Sequence, residues 1–250
     1  MQGRLGLIPQ EAADEIISHC RLEQIDLVKL RAQTERIGKP ILGVVSQLNL
    51  LCRSNLQQAI PITFGFKMAS LLAAIERHRQ RLAQLRPRVL VGEFGGAAGT
   101  LAALETGAMD TQAGLCTELG LCQPLIAWHT VRDNIAEVGC VLGLIGGTLG
   151  KLSMDVKLMM QTEMGEVQEP YHHGRGSSST MPQKRNPISS AYIHGAISVL
   201  RQHSAALMDE MVAAHERSTS PWQIEWIVLP EAFCLLAGAL KQSRVIAEGL

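Results

Sequence analysis

Aromatic side chains are scarce. Four Phe, three Trp and two Tyr make up 4% of the 250 residues, poor material for a β-sandwich core or a base-stacking surface. A surplus of charge is also missing: 23 Lys and Arg balance 23 Asp and Glu, whereas a nucleic-acid binder normally carries a basic excess. The six cysteines (Cys20, Cys52, Cys116, Cys122, Cys140 and Cys234) form no CxxC pair and no zinc-ligand spacing, so neither a disulfide framework nor a metal centre is expected. The N-terminal MQGRLGLIPQEAADEI has no apolar core of signal-peptide type. The longest uncharged apolar stretch near the middle, Val138 to Gly150, holds five glycines and falls short of the ~18 residues that span a bilayer. These absences point to a cytoplasmic chain with reduced thiols, no membrane segment and no nucleic-acid partner.

What is present is aliphatic and helical. Hydrophobic residues reach 46% against 18% charged, which excludes an intrinsically disordered chain. Ala12 to His19 and Ile25 to Ile37 read as short amphipathic helices. Pro61 to Leu85 repeats Phe64, Met68, Leu71, Leu72, Ile75 and Leu82 at helical spacing, with Pro87 as its stop. In Arg132 to Gln161, thirty residues contain no proline, and Ile135, Val138, Leu142, Ile145, Leu149, Leu152, Val156 and Met159 step by three or four. Each glycine in that run costs about 1 kcal/mol against alanine, which close packing of neighbouring helices can offset. Ser189 to Arg217 and Trp222 to Gly249 complete an all-α, long-helix bundle with few strands.

One segment has turn composition and chemical content. In GRGSSSTMPQKRNP, residues 174–187, serines precede Lys184, Arg185 and Asn186, and Pro182 and Pro187 bracket the cationic groups. Such a loop suits a carboxylate ligand, since lysine and arginine supply charge and asparagine supplies a directed donor. A serine there could accept a proton if cations and backbone N–H groups stabilised its alkoxide. A solvated linker of the same composition is an equally good reading from these residues alone. His172 and His173 are adjacent in a loop, a poor arrangement for one metal ion.

The full string is far more specific. Ser178-Ser179-Thr180-Met181-Pro182-Gln183-Lys184-Arg185-Asn186-Pro187 resembles the GSSxMPxKxNP signature of the fumarase/aspartase superfamily, with Ser177 in the glycine's place. EFGGAAGTLA at 93–102, WHTVRDN at 128–134 and QTEMGEVQEP at 161–170 are similar to neighbouring family segments. The resemblance implies a long-helix bundle and a homotetramer with shared active sites. It implies a dicarboxylate or tricarboxylate substrate and no cofactor or metal. Ser178 takes the role of the base that removes a proton α to a carboxylate. Lys184 and Asn186 hold that carboxylate and its aci form, and Ser179, Thr180, Met181, Gln57, His129 and Arg132 are the further substrate-binding candidates.

Departures from the pattern narrow the branch. Lyases of the superfamily carry a Thr-His pair where this chain reads Ser54-Asn55, and a supporting glutamate where it reads Ala191. Losing both is coherent, because a glutamate without its histidine would be an unpaired buried charge. That double absence, with the Trp-x-x-Glu-Trp string at 222–226, is most similar to the branch acting on 3-carboxy-cis,cis-muconate in aromatic degradation. A His-x-Gly-Ala-Thr-x-x-Asp motif and the first long central helix are missing before Arg53-Ser54-Asn55-Leu56, as though deleted. The expected division is a partial N-terminal helical domain over 1–52 and a partial central bundle over 53–250, with no C-terminal domain. Two other readings stay open: a catalytically impaired remnant that serves as an interaction protein, and an adenylosuccinate- or argininosuccinate-lyase-like enzyme.

Overall fold

The computed structural model describes residues 50–171, 176, 178, 180–181 and 183–250, together with positions 9–11, 14, 26, 28, 31 and 32. The helices expected over 12–19 and 25–37 lie almost wholly outside these residues. The chain divides into two compact units, Met1–Ser70 and Leu71–Leu250.

In the first unit a hairpin precedes the first described long helix. Strand β1 (Leu50–Ser54) pairs antiparallel with β2 (Gln57–Ile62), with Ser54 opposite Gln57 and an irregularity between Leu51 and Arg53. Asn55 and Leu56 form the two-residue turn with φ of 50° and 64°, the conformation that matches strand twist. Sequence reading placed Pro61 in a helix, whereas here it pairs with Leu51. The hairpin lacks the usual Asn-Gly or Asp-Gly signal, and Leu56 is a rare occupant of a left-handed position.

Helix α1 (Phe64–Val89) begins at Thr63, whose Oγ1 accepts the Phe66 N–H at 3.0 Å. It passes through Pro87 rather than stopping there. In the final turn a proline removes a single intrahelical bond, and Arg88 clamps the helix end to Glu137 through two hydrogen bonds. A short helix absent from the sequence reading, α2 (Ala108–Leu119), ends at Gly120 with φ of 66°.

The core is a three-helix stack of α3 (Asp133–Met159), α4 (Ile188–Asp209) and α5 (Pro221–Gly249). Leu142, Ile145, Leu149 and Val156 of α3 meet Ile193, Ile197, Leu200 and Leu207 of α4, while Leu236, Ala239 and Ile246 come from α5. Burying each large aliphatic side chain contributes roughly 1.5–3 kcal/mol. The glycines of α3 account for the close approach. Cβ atoms built on Gly139, Gly143, Gly146 and Gly150 would lie 2.7, 2.7, 2.8 and 2.2 Å from Leu207, Ser204, Leu200 and Ile197 respectively. Ascending numbers on α3 meet descending numbers on α4, so the two helices run antiparallel. The expectation that α4 continues to Arg217 is corrected: it ends at Asp209, where Glu210 turns into the interior toward Arg132.

Candidate functional site

The serine loop connects the end of α3 to the start of α4, and the described residues form a ladder of contacts across it. At the base, the buried Glu169 carboxylate accepts hydrogen bonds from Ser189 N (2.8 Å), Ser190 N (2.8 Å) and Ser190 Oγ (2.6 Å). Pro187 occupies the N-cap position of α4 and offers no side-chain cap. Glu169 therefore satisfies orphan helix N–H groups from twenty residues upstream, a service worth about 1 kcal/mol for an ordinary cap. Its negative charge also lies at the positive end of the helix dipole.

The next rung is the Arg185 guanidinium, 3.9 Å above the Tyr171 ring centroid. Beyond it, the Asn186 backbone N–H (3.0 Å) and side-chain Nδ2 (3.2 Å) both donate to the Gly176 carbonyl. Gly176 has φ of 74°, and a Cβ there would sit 3.2 Å from the Asn186 carbonyl oxygen; only glycine fits this turn comfortably. Met160, Tyr171, Gly176, Arg185 and Asn186 line a shallow pocket at this level.

At the tip, Ser178 Oγ accepts the N–H groups of Thr180 (3.3 Å) and Met181 (3.1 Å) and shares a 3.3 Å contact with Thr180 Oγ1. Lys184 N donates to Met181 O at 3.0 Å, and its side chain is exposed. Two backbone donors on one hydroxyl oxygen are the environment an alkoxide needs. Asn186 has two amide hydrogens, so one stays available for a ligand while the other holds Gly176. Ser179 lies outside the described residues, as do His172 and His173.

Gln57 belongs to the first unit, exposed on β2 opposite Ser54. His129 and Arg132 lie at the start of α3, whereas the serine loop sits at its far end beside Met160. A helix of that length separates the two groups by roughly 40 Å within one chain.

Around Arg132 a second cluster assembles, most of it missed in the sequence. Arg132, 7% exposed, ion-pairs with Glu225 and lies 3.4 Å (Nε to Oε1) from the fully buried Glu210. Its guanidinium also stacks on Trp128 at 4.9 Å, and Glu225 accepts Trp222 Nε1–H at 2.9 Å. Arg132 is thus consumed by two carboxylates inside the bundle rather than presented to a ligand. Burial pushes the Glu210 carboxyl up to about 7, with the neighbouring Glu225 carboxylate adding to the rise and Arg132 opposing it. His129 packs edge-on against Trp222 at 4.7 Å. Burial lowers its pKa, and the positive charges of Arg217 and Arg132 add to that effect while Glu93 and Glu225 oppose it. Arg217 donates to the carbonyls of Gly96 and Ala97, and Glu93 accepts the Trp128 N–H, which ties the glycine-rich loop to the same end of the bundle.

The family profile described as Lyase matches residues 46–200. An uncharacterized protein of Schizosaccharomyces pombe is 48% identical, over all of this chain and 69% of its own length. Trans-aconitate decarboxylase 1 of Mycosarcoma maydis is 42% identical over all of this chain and 62% of its own. The 3-carboxy-cis,cis-muconate cycloisomerase of Pseudomonas aeruginosa is 54% identical over 79% of this chain, which spans only 43% of that enzyme. The alignment to the M. maydis protein runs to 308 positions against 250 residues, so that relative carries tens of residues this chain lacks internally. The crystal structure of the 3-carboxy-cis,cis-muconate lactonizing enzyme from Pseudomonas putida superposes with a TM-score of 0.76 at 37% identity, covering 99% of this chain and 69% of that one. On the profile match, the identities and the shared fold, the chain belongs to the lyase family of the fumarate lyase superfamily.

Proposed function

We propose that this chain catalyses a lyase or cycloisomerase reaction on an unsaturated tricarboxylate, with 3-carboxy-cis,cis-muconate as the leading substrate. The observation that carries the reading is Ser178 Oγ receiving two backbone N–H groups inside the family's signature string. The M. maydis relative and the muconate enzymes are named for different reactions. Both named compounds are unsaturated acids with three carboxylates, so the tricarboxylate is the common chemical denominator.

In the eliminating direction the Ser178 alkoxide takes the proton from the carbon next to a carboxylate. The electron pair passes into that carboxylate as an aci form, held by Lys184 and the free amide hydrogen of Asn186. It then expels the ring oxygen as a second carboxylate. In the cyclising direction the same steps run backwards, and the Ser178 hydroxyl returns the proton to carbon.

The ~40 Å between the serine loop and His129 supports a working unit in which another copy brings its opposite bundle end to the loop. Large apolar side chains exposed on the helices, among them Leu144, Trp226, Ile227, Phe233 and Leu240, support a homotetramer of the kind the family resemblance implies.

The test is turnover of 3-carboxy-cis,cis-muconate and of trans-aconitate, followed by absorbance. Ser178→Ala should lower turnover by at least about 10³-fold, while costing less than about 1 kcal/mol of stability because the loop is exposed. Ser177→Ala and Ser179→Ala should be milder. Near-normal turnover of Ser178→Ala would remove that serine as base. An unmutated chain inert toward both acids would favour the remnant reading, since relatives carry an internal stretch missing here.

A further inference from the structure

We infer that Glu169 is a positioning residue for the serine loop: it sets the register of the loop neck from which Ser178 is presented. This inference rests on the proposed role of Ser178 for its catalytic consequence, though not for its structural one.

The contacts across the loop share one outer closure. Residue 169 meets 189 and 190 and encloses all the others, while the 171–185 and 176–186 contacts interleave within it. Inside them, Lys184 N reaches Met181 O and Met181 N reaches Ser178 Oγ. Glu169 forms the outermost rung, and its carboxylate is 7% exposed. Every inner rung starts from a chain direction that this rung fixes.

The chemistry of the rung requires a carboxylate. Three donors converge on Glu169, with Oε2 taking Ser189 N and Oε1 taking both Ser190 N and Ser190 Oγ. An ionised carboxylate is acceptor-only, with two oxygens. Glutamine would turn an NH₂ group toward one of the helix N–H groups, so one strand of the neck must shift. Aspartate is one methylene too short to reach both amides. No capping side chain at Pro187 can take over.

The neck is also pressed from the other side. A Cβ on Gly249, at the end of α5, would lie 2.1 Å from Pro170 Cγ. Pro170, the residue beside Glu169, therefore lies directly against Gly249 of α5, and an alanine at 249 must push it. That gives a second, independent way to displace the same rung without touching the carboxylate or the loop.

The experiment uses the full chain and compares Glu169→Gln, Gly249→Ala and the control Ser190→Ala, which keeps both backbone donors. Amide hydrogen exchange by NMR reads Met181, Lys184 and Asn186 in the loop, and Ile193 to Leu200 in α4. Turnover of 3-carboxy-cis,cis-muconate gives kcat and KM. Glu169→Gln should speed loop-amide exchange at least tenfold with α4 unchanged, and should lower kcat at least tenfold with KM within about threefold. Gly249→Ala should move the same loop amides, and Ser190→Ala should leave them within twofold. Faster exchange at Ser189 and Ser190 with unchanged loop amides and kcat would reduce Glu169 to a helix cap and overturn the inference. If Glu169→Gln does not fold, Gly249→Ala decides alone, and unchanged loop amides there overturn it. If the unmutated chain turns over neither tricarboxylate, the proposed function fails while the exchange data still judge Glu169.

Discussion

Arg132 and Glu210 face each other inside the bundle, the guanidinium Nε 3.4 Å from a carboxylate oxygen that no solvent reaches. One cation serves two carboxylates, because Glu225 holds the other side of the same guanidinium. Burial raises the Glu210 pKa from an ordinary 4.5 to about 7. The folded chain therefore binds a proton at Glu210 that the unfolded chain releases between these values. Stability falls as pH rises from about 4.5 to about 7, and the full cost of an ionised Glu210 is present above that window. Glu210→Gln should remove this slope. Thermal denaturation across pH 4.5 to 8 is expected to show the variant gaining on the parent as pH rises, by the order of a few kcal/mol at the upper end. A parallel pair of curves would mean that Glu210 titrates normally.

Arg132→Met leaves Glu210 and Glu225 facing each other without a cation. Removing one partner of a buried ionic group costs about 3–5 kcal/mol, so chemical denaturation should show a loss of that size at pH 7.5. The loss should shrink at pH 5, where Glu210 is protonated. An arginine whose role is to hold substrate would show the opposite signature, a raised KM with stability intact.

Gly146 and Gly147 are neighbours on α3 with opposite surroundings. A Cβ at 146 would meet Leu200 at 2.8 Å, whereas one at 147 would meet nothing within 4 Å. Gly147→Ala should stabilise by about 0.5–1 kcal/mol through helix propensity alone. Gly146→Ala should destabilise by about 1–3 kcal/mol, since the antiparallel helices must separate or Leu200 must leave its rotamer. Unfolding midpoints of the two variants read the difference directly.

The bundle was legible in the sequence because its signal is periodic. The apolar step on α3 and its glycines named the surface that α4 covers, and Leu142, Ile145, Leu149 and Val156 are buried as that step requires. The hairpin was not, because its turn is Asn55-Leu56 and its second strand carries little apolar alternation. The loop string pointed to Ser178, Lys184 and Asn186, yet the residue that caps α4 lies twenty positions away at Glu169. A proline at an N-cap is the one local hint that an outside acceptor is needed. Arg132 shows the converse limit. Its charge is visible in the sequence, but its two partners come from the end of α4 and the second turn of α5, a convergence only the fold creates.

The separation of Ser178 from His129 along α3 leads to the last prediction. Both residues are placed in the site by the family resemblance, and one chain holds them at opposite helix ends. A complete site must then draw each from a different copy. Ser178→Ala and His129→Ala should each be severely impaired when purified alone. Mixed, dissociated and reassembled, about one site in four would combine an unmutated Ser178 with an unmutated His129, because independent chains supply them. Turnover of 3-carboxy-cis,cis-muconate in the mixture should therefore return to roughly a quarter of the parental value. Mixing without dissociation should return none until subunits exchange. A mixture that stays as inactive as its parts, under conditions where unmutated subunits reassemble with full activity, would place the two residues in one chain's site or remove His129 from the chemistry. An active His129→Ala would do the latter by itself. The double variant Ser178→Ala/His129→Ala mixed with unmutated chain is the control. After the same reassembly, a site drawn from two copies is complete there about one time in four, the level that complementation must match, whereas a site within one chain would leave about half.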